Sequence, residues 1–307
     1  MRTPKGTTSA WLAGLWLANI VLFLLVEHVA LETIRGQMLD TVALTGNSLG
    51  RDKVDGALNT ALNAISVVSL VVVLVLVGVI ALARKRYSLA IMAVVLVVGS
   101  TATTMLLKDR LLRPEFGVDL ERAGAGNSLP SGHATAAAAF AVGLVLVLPP
   151  AARGVASVIG ATYAAVVGVA TLSSGWHRPS DVIASYLIVG GWAAFAGLLL
   201  VLAQRPSAVV SPDDRPSWSL VLALGAGLAL LAVGTLLLVV TFNRMITPIE
   251  AMGPRLLSLG YLGSVLAMAG AAYLMMAVVL VTVHRVVPHR KRADVPADHD
   301  LAVMIAP

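Results

Sequence analysis

The chain has 307 residues, of which 58% are hydrophobic and only 12% are charged, a composition far more apolar than that of a soluble domain. Its net charge of +6 does not indicate nucleic-acid binding, because the Lys and Arg residues form short clusters between apolar runs. The absence of cysteine excludes disulfides, thiolate metal sites and thiol catalysis.

The apolar residues form continuous runs, several of which reach the roughly 20 residues that a helix needs to cross about 30 Å of hydrocarbon. Continuous runs favour helices over the alternating strands of a barrel. We therefore predict an all-α integral membrane protein with eight transmembrane helices. In chain order they span residues 9–26, 57–83, 88–107, 134–148, 154–172, 182–203, 217–242 and 259–287.

An even number of crossings places both termini on one side of the membrane. Basic residues are more frequent on that side once one loop, which carries Lys108, Arg110, Arg113 and Arg122, is set aside. The positive-inside rule then predicts a multi-pass protein of the cell membrane with cytoplasmic termini. The loops that follow the third and fifth predicted helices would face the extracytoplasmic side.

A linker rich in proline and charge, residues 204–216, divides the predicted helices into two groups. Residues 1–203 would form a six-helix membrane core, and residues 217–287 would add two C-terminal helices. The polar tail, residues 288–307, is expected to be disordered. Nothing in the sequence indicates the role of the two additional helices or the oligomeric state.

The first outward loop carries residues suited to holding an anion. Ser131 is placed to cap the helix that follows, whose free N–H groups would point toward a bound anion. Gly132 lacks a Cβ and lets the backbone approach a ligand, and Lys108 and Arg113 add cationic donors for phosphate oxygens. The alternative is that Ser131 only caps a turn, that His133 is an interfacial histidine, and that the basic residues contact lipid headgroups.

The second outward loop places His177 four residues before Asp181, at the predicted start of a helix. At this spacing the imidazole can donate one ring N–H to the carboxylate, which frees the other nitrogen to act as a nucleophile or base. The alternative is that Asp181 only stabilises the helix N-terminus and that Trp176 belongs to an interfacial aromatic belt. Because both loops are predicted on one membrane face, their polar residues together favour a functional site.

These motifs resemble the signature of the type 2 phosphatidic acid phosphatase family, part of the lipid phosphate phosphatase and vanadium haloperoxidase superfamily. The Pro-Ser-Gly-His segment is complete at residues 130–133, and His177 and Asp181 stand at the family's spacing. The resemblance implies a six-helix core over residues 1–203 and phosphoryl transfer without a metal or cofactor. It implies that His177 attacks phosphorus, oriented by Asp181, while His133 protonates the leaving oxygen. The residues that it implies as phosphate ligands are Lys108, Arg113, Ser131 and Gly132.

Two features depart from the family pattern. Lys108 and Arg113 are separated by four residues rather than the family's six, so both can reach one phosphate only if the chain leaves the helix between them. Thr171 stands where the family has a phosphate-binding arginine, and Arg178 or Arg122 is a candidate replacement.

The leading hypothesis is a membrane phosphatase that hydrolyses a lipid phosphate or pyrophosphate, of the phosphatidate, phosphatidylglycerol phosphate or polyprenyl type. Its expected partners are this substrate and the membrane lipids, with no nucleic acid. The alternative is a lipid-phosphate binding or transport protein that keeps the phosphate site with weak or no hydrolysis. This second interpretation is motivated by Thr171 and by the two additional helices.

Overall fold

The computed structural model describes residues 5–47, 75, 77–80, 82–119, 124, 126–203 and 218–287. These residues form helices and connecting loops, with no strand among them. The helices are α1 (Lys5–Glu32), α2 (Ile34–Gly46), α3 (Tyr87–Arg110), α4 (Gly132–Val147), α5 (Pro150–Ser173), α6 (Pro179–Ala203), α7 (Trp218–Arg244) and α8 (Pro254–Val286), and a 3-10 turn (Ile249–Ala251) lies between α7 and α8. The predicted all-α class is confirmed.

In the described ranges, six helices are long and apolar enough to cross a membrane, namely α1, α3, α5, α6, α7 and α8. α4 is also apolar but has only 16 residues. The predicted spans coincide with α1 and with α3 to α8, apart from the second, residues 57–83, most of which lies outside the described residues. The chain is therefore a multi-pass membrane protein, whereas its orientation in the membrane stays a prediction.

The sequence patterns do not predict α2, which follows α1 after a single residue, Thr33. Thr33 caps α2, because its Oγ1 accepts a hydrogen bond from the Gly36 N–H at 3.0 Å. The same hydroxyl donates to the Val29 carbonyl in the last turn of α1 at 2.6 Å. A Cβ at Gly36 would overlap the Val29 carbonyl group, so glycine permits the tight fold of α2 onto α1.

α8 is more deeply buried than α7. Met268, Met276 and Leu280 of α8 are fully buried and belong to the same hydrophobic cluster as residues of α3 to α6. Gly234 of α7 lies against the α8 backbone near Ala267, a close approach that small residues permit between membrane helices. The helices that follow the predicted linker therefore pack on those that precede it, and α8 shares their core.

The two loops that carry the predicted site residues meet where α3 and α5 end and where α4 and α6 begin. Buried polar contacts join these helices. The Thr104 hydroxyl of α3 is 3.0 Å from the Thr135 hydroxyl of α4, and the Tyr186 hydroxyl of α6 donates to the Ala164 carbonyl of α5 at 2.7 Å. Hydrogen bonds of this kind stabilise the packing of membrane helices, and here they hold the loops at one end of the bundle.

Candidate active site

His177 lies in the turn between α5 and α6, and Asp181 lies in the first turn of α6. The imidazole Nδ1 is 3.1 Å from the Asp181 Oδ2, and the two residues are only 6% and 0% exposed. The carboxylate favours a proton on Nδ1, which leaves the lone pair on Nε2. None of the described residues hydrogen-bonds Nε2, so this nitrogen is available to a substrate.

Asp181 also joins the two signature loops, which lie between α3 and α4 and between α5 and α6. Its Oδ2 accepts hydrogen bonds from the Ser128 hydroxyl at 2.7 Å and from the Arg178 N–H at 2.9 Å. Its backbone carbonyl accepts from the Ser131 N–H at 3.1 Å and from the Ser185 hydroxyl at 2.8 Å. The carboxylate that orients the imidazole is thus held by donors from both loops.

The first turn of α4 is built around Ser131 and Gly132. The Ser131 Oγ accepts from the Ala134 N–H at 3.3 Å, which confirms the predicted N-cap. Gly132 is exposed, and a Cβ built on it would meet no atom within 4 Å. The space beside this helix N-terminus is therefore open to a ligand, and the first-turn N–H groups favour an anion there.

His133 faces His177 across this space, which is the candidate pocket. The centroids of the two imidazole rings are 6.5 Å apart, and the ring planes are inclined at 60°. The His133 ring also packs on the Trp176 indole, with 5.4 Å between the centroids. The two imidazoles are too far apart to hydrogen-bond each other.

Arg113 brings a positive charge close to Asp181, the carboxylate that orients His177. Its Nη1 and Nη2 atoms are buried, and neither has a hydrogen-bond partner. Burial lowers the pKa of the guanidinium, and so does the nearby charge of Arg178. The charges that oppose this shift come from Asp40, Asp181 and Asp119. Because a buried guanidinium without a hydrogen-bond acceptor is unfavourable, its donors are suited to an anionic ligand.

The chain leaves the helix between Lys108 and Arg113, as their short spacing requires. α3 ends at Arg110, and Leu111 has extended backbone dihedrals. Lys108 is exposed in the last turn of α3 and lies close enough for its charge to act on the His133 imidazole. The two cations therefore approach the pocket from the end of a helix and from the loop that follows it.

A family model described as the PAP2 superfamily matches residues 87–206, from the start of α3 to just beyond the end of α6. This segment is similar to the PAP2 superfamily. Both signature loops lie inside it, and the match indicates phosphatase-type activity on phosphate esters. No curated protein and no solved structure matches the chain.

Thr171 does not supply the phosphate ligand that the family resemblance implies at its position. Its hydroxyl donates to the Gly168 carbonyl of α5 at 2.8 Å, and the residue is fully buried. Its own carbonyl accepts the N–H groups of Trp176 and His177 at 3.0 and 3.2 Å. Thr171 therefore closes the turn that carries His177 and has no donor left for a phosphate.

Arg178 lies near Arg113, whereas Arg122, the other suggested replacement for the missing arginine, falls outside the described residues. The Arg178 Nη2 donates to the Asp119 carboxylate at 2.7 Å, and its Nη1 donates to the Ser128 hydroxyl at 3.3 Å. Its Nε is buried without a partner, and its charge acts on Arg113. The Arg178 guanidinium thus lies near that of Arg113, and Asp119, in the loop after α3, holds it in place.

Asp40 of α2 is a buried carboxylate beside the pocket that the sequence motifs do not reveal. Its Oδ1 accepts the Ser180 N–H at 3.3 Å, and its Oδ2 accepts a short hydrogen bond from the Ser180 hydroxyl. Burial and the nearby charge of Asp181 raise the pKa of Asp40 to about 6. The opposing effects of Ser180, Arg113 and Arg178 are smaller. Asp40 therefore holds the first turn of α6 directly beside the carboxylate that orients the imidazole.

Gln37, one turn earlier on α2, holds the other loop. Its side-chain amide donates to the Pro114 carbonyl at 2.8 Å and to the Leu31 carbonyl at 2.7 Å. Because Pro114 follows Arg113, the first of these bonds fixes the segment that carries the unpaired guanidinium. The available sequence signal is the Thr33 N-cap with polar residues one helical turn apart, which indicates a short helix but not its partners.

Proposed function

We propose that the protein is a membrane-embedded phosphatase that hydrolyses a lipid phosphate or pyrophosphate through a phosphohistidine at His177, without a metal ion. The PAP2 match indicates phosphatase-type activity on phosphate esters. The observation that carries the finer proposal is the oriented, unbonded His177 Nε2, whose partner Asp181 lies near enough to the buried, unpaired guanidinium of Arg113 for their charges to interact. A nucleophile and an anion-binding group are the two parts that phosphoryl transfer requires.

Donors from several sides of the pocket would hold the phosphate oxygens. Arg113 offers Nη1 and Nη2, and Lys108 offers its ammonium group. Ser131 has its hydroxyl proton to donate, since its Oγ only accepts a bond from the helix. Backbone N–H groups of the first turn of α4 lie beside them. Because negative charge is spread over the equatorial oxygens in the transition state, these donors stabilise that state.

In the first step, Nε2 of His177 attacks phosphorus, a P–N bond forms, and the bond from phosphorus to the leaving oxygen breaks. His133 gives its proton to that oxygen. Asp181 stabilises the positive charge on the His177 ring through the hydrogen bond at Nδ1. The 6.5 Å between the imidazole centroids suits attack from one side of the phosphoryl group and protonation from the other.

In the second step, a water molecule gives a proton to the neutral His133 while its oxygen attacks phosphorus. The P–N bond breaks, and its electron pair returns to Nε2 of His177 as inorganic phosphate leaves. Both histidines return to their starting protonation states, so the cycle consumes only water and substrate.

An apolar cleft beside the pocket supports a substrate with a hydrocarbon chain. The cleft has a volume of about 240 Å³ and lies between α1, α3 and α6. Its lining includes Trp16, Phe23, Leu107, Leu187 and Trp192. Because Leu107 directly precedes Lys108, the cleft begins next to a cation proposed to bind phosphate. Phosphatidate, phosphatidylglycerol phosphate, and polyprenyl phosphates or pyrophosphates all match this arrangement.

Phosphate release by the purified full-length protein tests the proposal. The substrates are short-chain lipid phosphates and pyrophosphates in detergent, and the variants are His177→Ala and His28→Ala. His28 is an exposed histidine of α1 that pairs with Glu32 at 2.8 Å, so its loss controls for the removal of an imidazole. We expect release to fall by more than about 10³-fold in His177→Ala and to stay within about twofold in His28→Ala.

Unchanged release in His177→Ala would contradict the proposed nucleophile. A second candidate function, lipid-phosphate binding or transport, is supported by Thr171, which replaces one expected phosphate ligand and leaves the pocket otherwise in place. This candidate would be favoured if no substrate released phosphate while a lipid phosphate bound saturably and Arg113→Met abolished that binding.

A further inference from the structure

A second group of arginines lies at the end of α4 opposite to the candidate pocket. Arg153, in the first turn of α5, is 2% exposed, and its Nε donates to the Leu148 carbonyl at 3.1 Å. Its Nη1 is buried and has no hydrogen-bond partner. With a rise of 1.5 Å per residue, the 16 residues of α4 separate this group by about 24 Å from the turn that carries His133.

Arg84 and Arg86 approach Arg153 from the turn before α3. The Nη1 of Arg84 donates to the Val147 carbonyl at 3.2 Å, next to the carbonyl that Arg153 contacts. Arg84 and Arg86 are half-buried, and the charges of both repel that of Arg153. In the part of the chain that the structure describes, no carboxylate pairs with Arg84 or Arg153.

Helix capping explains only part of this arrangement. Cations near the last carbonyls of α4 interact favourably with the helix C-terminus, which accounts for the bonds to Val147 and Leu148. The positive-inside rule accounts for basic residues in a loop of this kind. Neither accounts for the buried Nη1 of Arg153, which has no hydrogen-bond acceptor. Neither accounts for the positive charges of Arg84 and Arg86 beside this buried cation. Such a group is stabilised when an anion joins it.

We propose that Arg84, Arg86 and Arg153 bind the phosphate of an anionic phospholipid on the membrane face opposite the candidate pocket. Planar guanidinium groups offer paired donors that match phosphate oxygens. The group lies where α5 begins at Pro150, so free N–H groups of that helix also favour an anion. The ends of membrane-crossing helices lie at the depth of the headgroups, which favours a lipid phosphate over a soluble one.

This site is independent of the proposed phosphatase function, because it shares no residue with the candidate pocket. Because Arg84 and Arg86 are half-buried, a headgroup phosphate has access to them beside Arg153. A bound phosphate would offset the converging charges and stabilise the junction of α3, α4 and α5. The lipid would therefore act on the stability of the protein even if the pocket had no hydrolytic activity.

Lipid-dependent thermal stability of the purified full-length protein tests the site. Detergent-solubilised protein is mixed with phosphatidylglycerol, phosphatidylcholine or inorganic phosphate at equal concentrations. Phosphatidylglycerol is used because it is an anionic phosphodiester and not a phosphomonoester suited to the pocket. The variants are Arg153→Gln and Arg84→Gln, and the control is Lys85→Gln, which removes the same charge from an exposed neighbouring side chain.

We expect phosphatidylglycerol, and not phosphatidylcholine, to raise the Tm of the wild type and of Lys85→Gln. The apparent Kd should rise by roughly tenfold in Arg153→Gln and in Arg84→Gln, since each loses charge-assisted hydrogen bonds. If Arg153→Gln does not fold, the apparent Kd of Arg84→Gln for phosphatidylglycerol tests the proposal. The proposal is overturned if phosphatidylglycerol has no effect, acts like phosphatidylcholine, or stabilises all four proteins equally. Equal stabilisation by inorganic phosphate, lost in both Arg variants, would overturn the lipid as the source of the anion.

Discussion

The two halves of the candidate pocket differ in how far their polar groups are hydrogen-bonded within the protein. In the histidine half, Oδ2 of Asp181 holds His177 and accepts hydrogen bonds from both signature loops, while its Oδ1 is buried without a partner. In the arginine half, Nη1 and Nη2 of Arg113 and Nε of Arg178 are buried without partners. The difference indicates that the nucleophile is oriented before substrate binds, whereas the anion-binding half is completed by the substrate's own phosphate.

This contrast separates stability from activity. A buried donor without a partner destabilises the empty protein by about 1–3 kcal/mol for a typical polar group, and by more for a charged one. Residues of the histidine half should therefore support both folding and catalysis. Residues of the arginine half should support catalysis while lowering stability, as is common for residues that bind a ligand.

Asp181→Asn is expected to give the largest loss among variants that keep the shape of the pocket. The Asn side chain either turns its NH₂ toward Nδ1 and moves the imidazole proton to Nε2, or keeps its oxygen there and loses the stabilising charge. In both cases kcat should fall by roughly 10³-fold. Asp119→Asn removes the same charge from the carboxylate that binds Arg178, and it should lower kcat by about tenfold at most. Equal losses of kcat in the two variants would show that kcat depends on the negative charge in the pocket and not on the orientation of the imidazole.

Arg113→Met should affect activity and stability in opposite directions. We expect kcat/KM to fall by about 10²-fold, because the variant removes two donors to the transition state. The Tm should stay the same or rise, because a buried cation without a hydrogen-bond partner is replaced by an apolar side chain. Arg110→Met is the matched control, since Arg110 is exposed at the end of α3, and its activity should stay within about threefold. A Tm that falls with activity in Arg113→Met would remove the contrast between the two halves.

Local geometry made the histidine half predictable from the sequence. His177 and Asp181 are one helical turn apart, and Ser131 stands directly before a helix, so sequence separation alone brings the groups together. The transmembrane helices were predictable for a similar reason, because the hydropathy of a 20-residue run does not depend on its neighbours in space. The departure at Thr171 was visible too, although its bond to Gly168 was not.

The contribution of α2 could not be predicted in this way. The helix has only 13 residues and buries polar side chains, so a hydropathy window passes over it. Its partners lie far along the chain. Ser180, which bonds Asp40, comes 140 residues after it, and Pro114, which bonds Gln37, comes 77 residues after it. Such pairs are decided by packing in three dimensions. α2 joins the halves of the pocket, because one of its side chains holds the α6 turn and another holds the loop of Arg113.

Asp40→Asn tests this link through the pH dependence of stability. The carboxyl pKa is raised from 3.8 to about 6, so the folded state binds the proton more tightly than the unfolded state. Stability should therefore fall as the pH rises from about 4 to about 6, by on the order of 3 kcal/mol for this group. The Asn amide resembles the protonated carboxyl, so Tm values measured across this range should be flatter in the variant. Asp109→Asn, at an exposed carboxylate of α3, should keep the wild-type slope, and an equal slope in Asp40→Asn would contradict the assignment.

Chelation should have the smallest effect of all, and it tests the arginine half as a whole. If Arg113, Lys108 and the N-terminus of α4 neutralise the phosphate, no divalent cation is needed, and excess EDTA should leave kcat/KM within about twofold. The measurement is phosphate release with and without EDTA, followed by addition of Mg²⁺. A loss that Mg²⁺ restores would mean that carboxylates such as Asp40 and Asp119 hold a metal ion beside the pocket. The unpaired guanidinium groups would then not be the main charge-stabilising groups, and the phosphohistidine scheme would have to be replaced by metal-assisted hydrolysis.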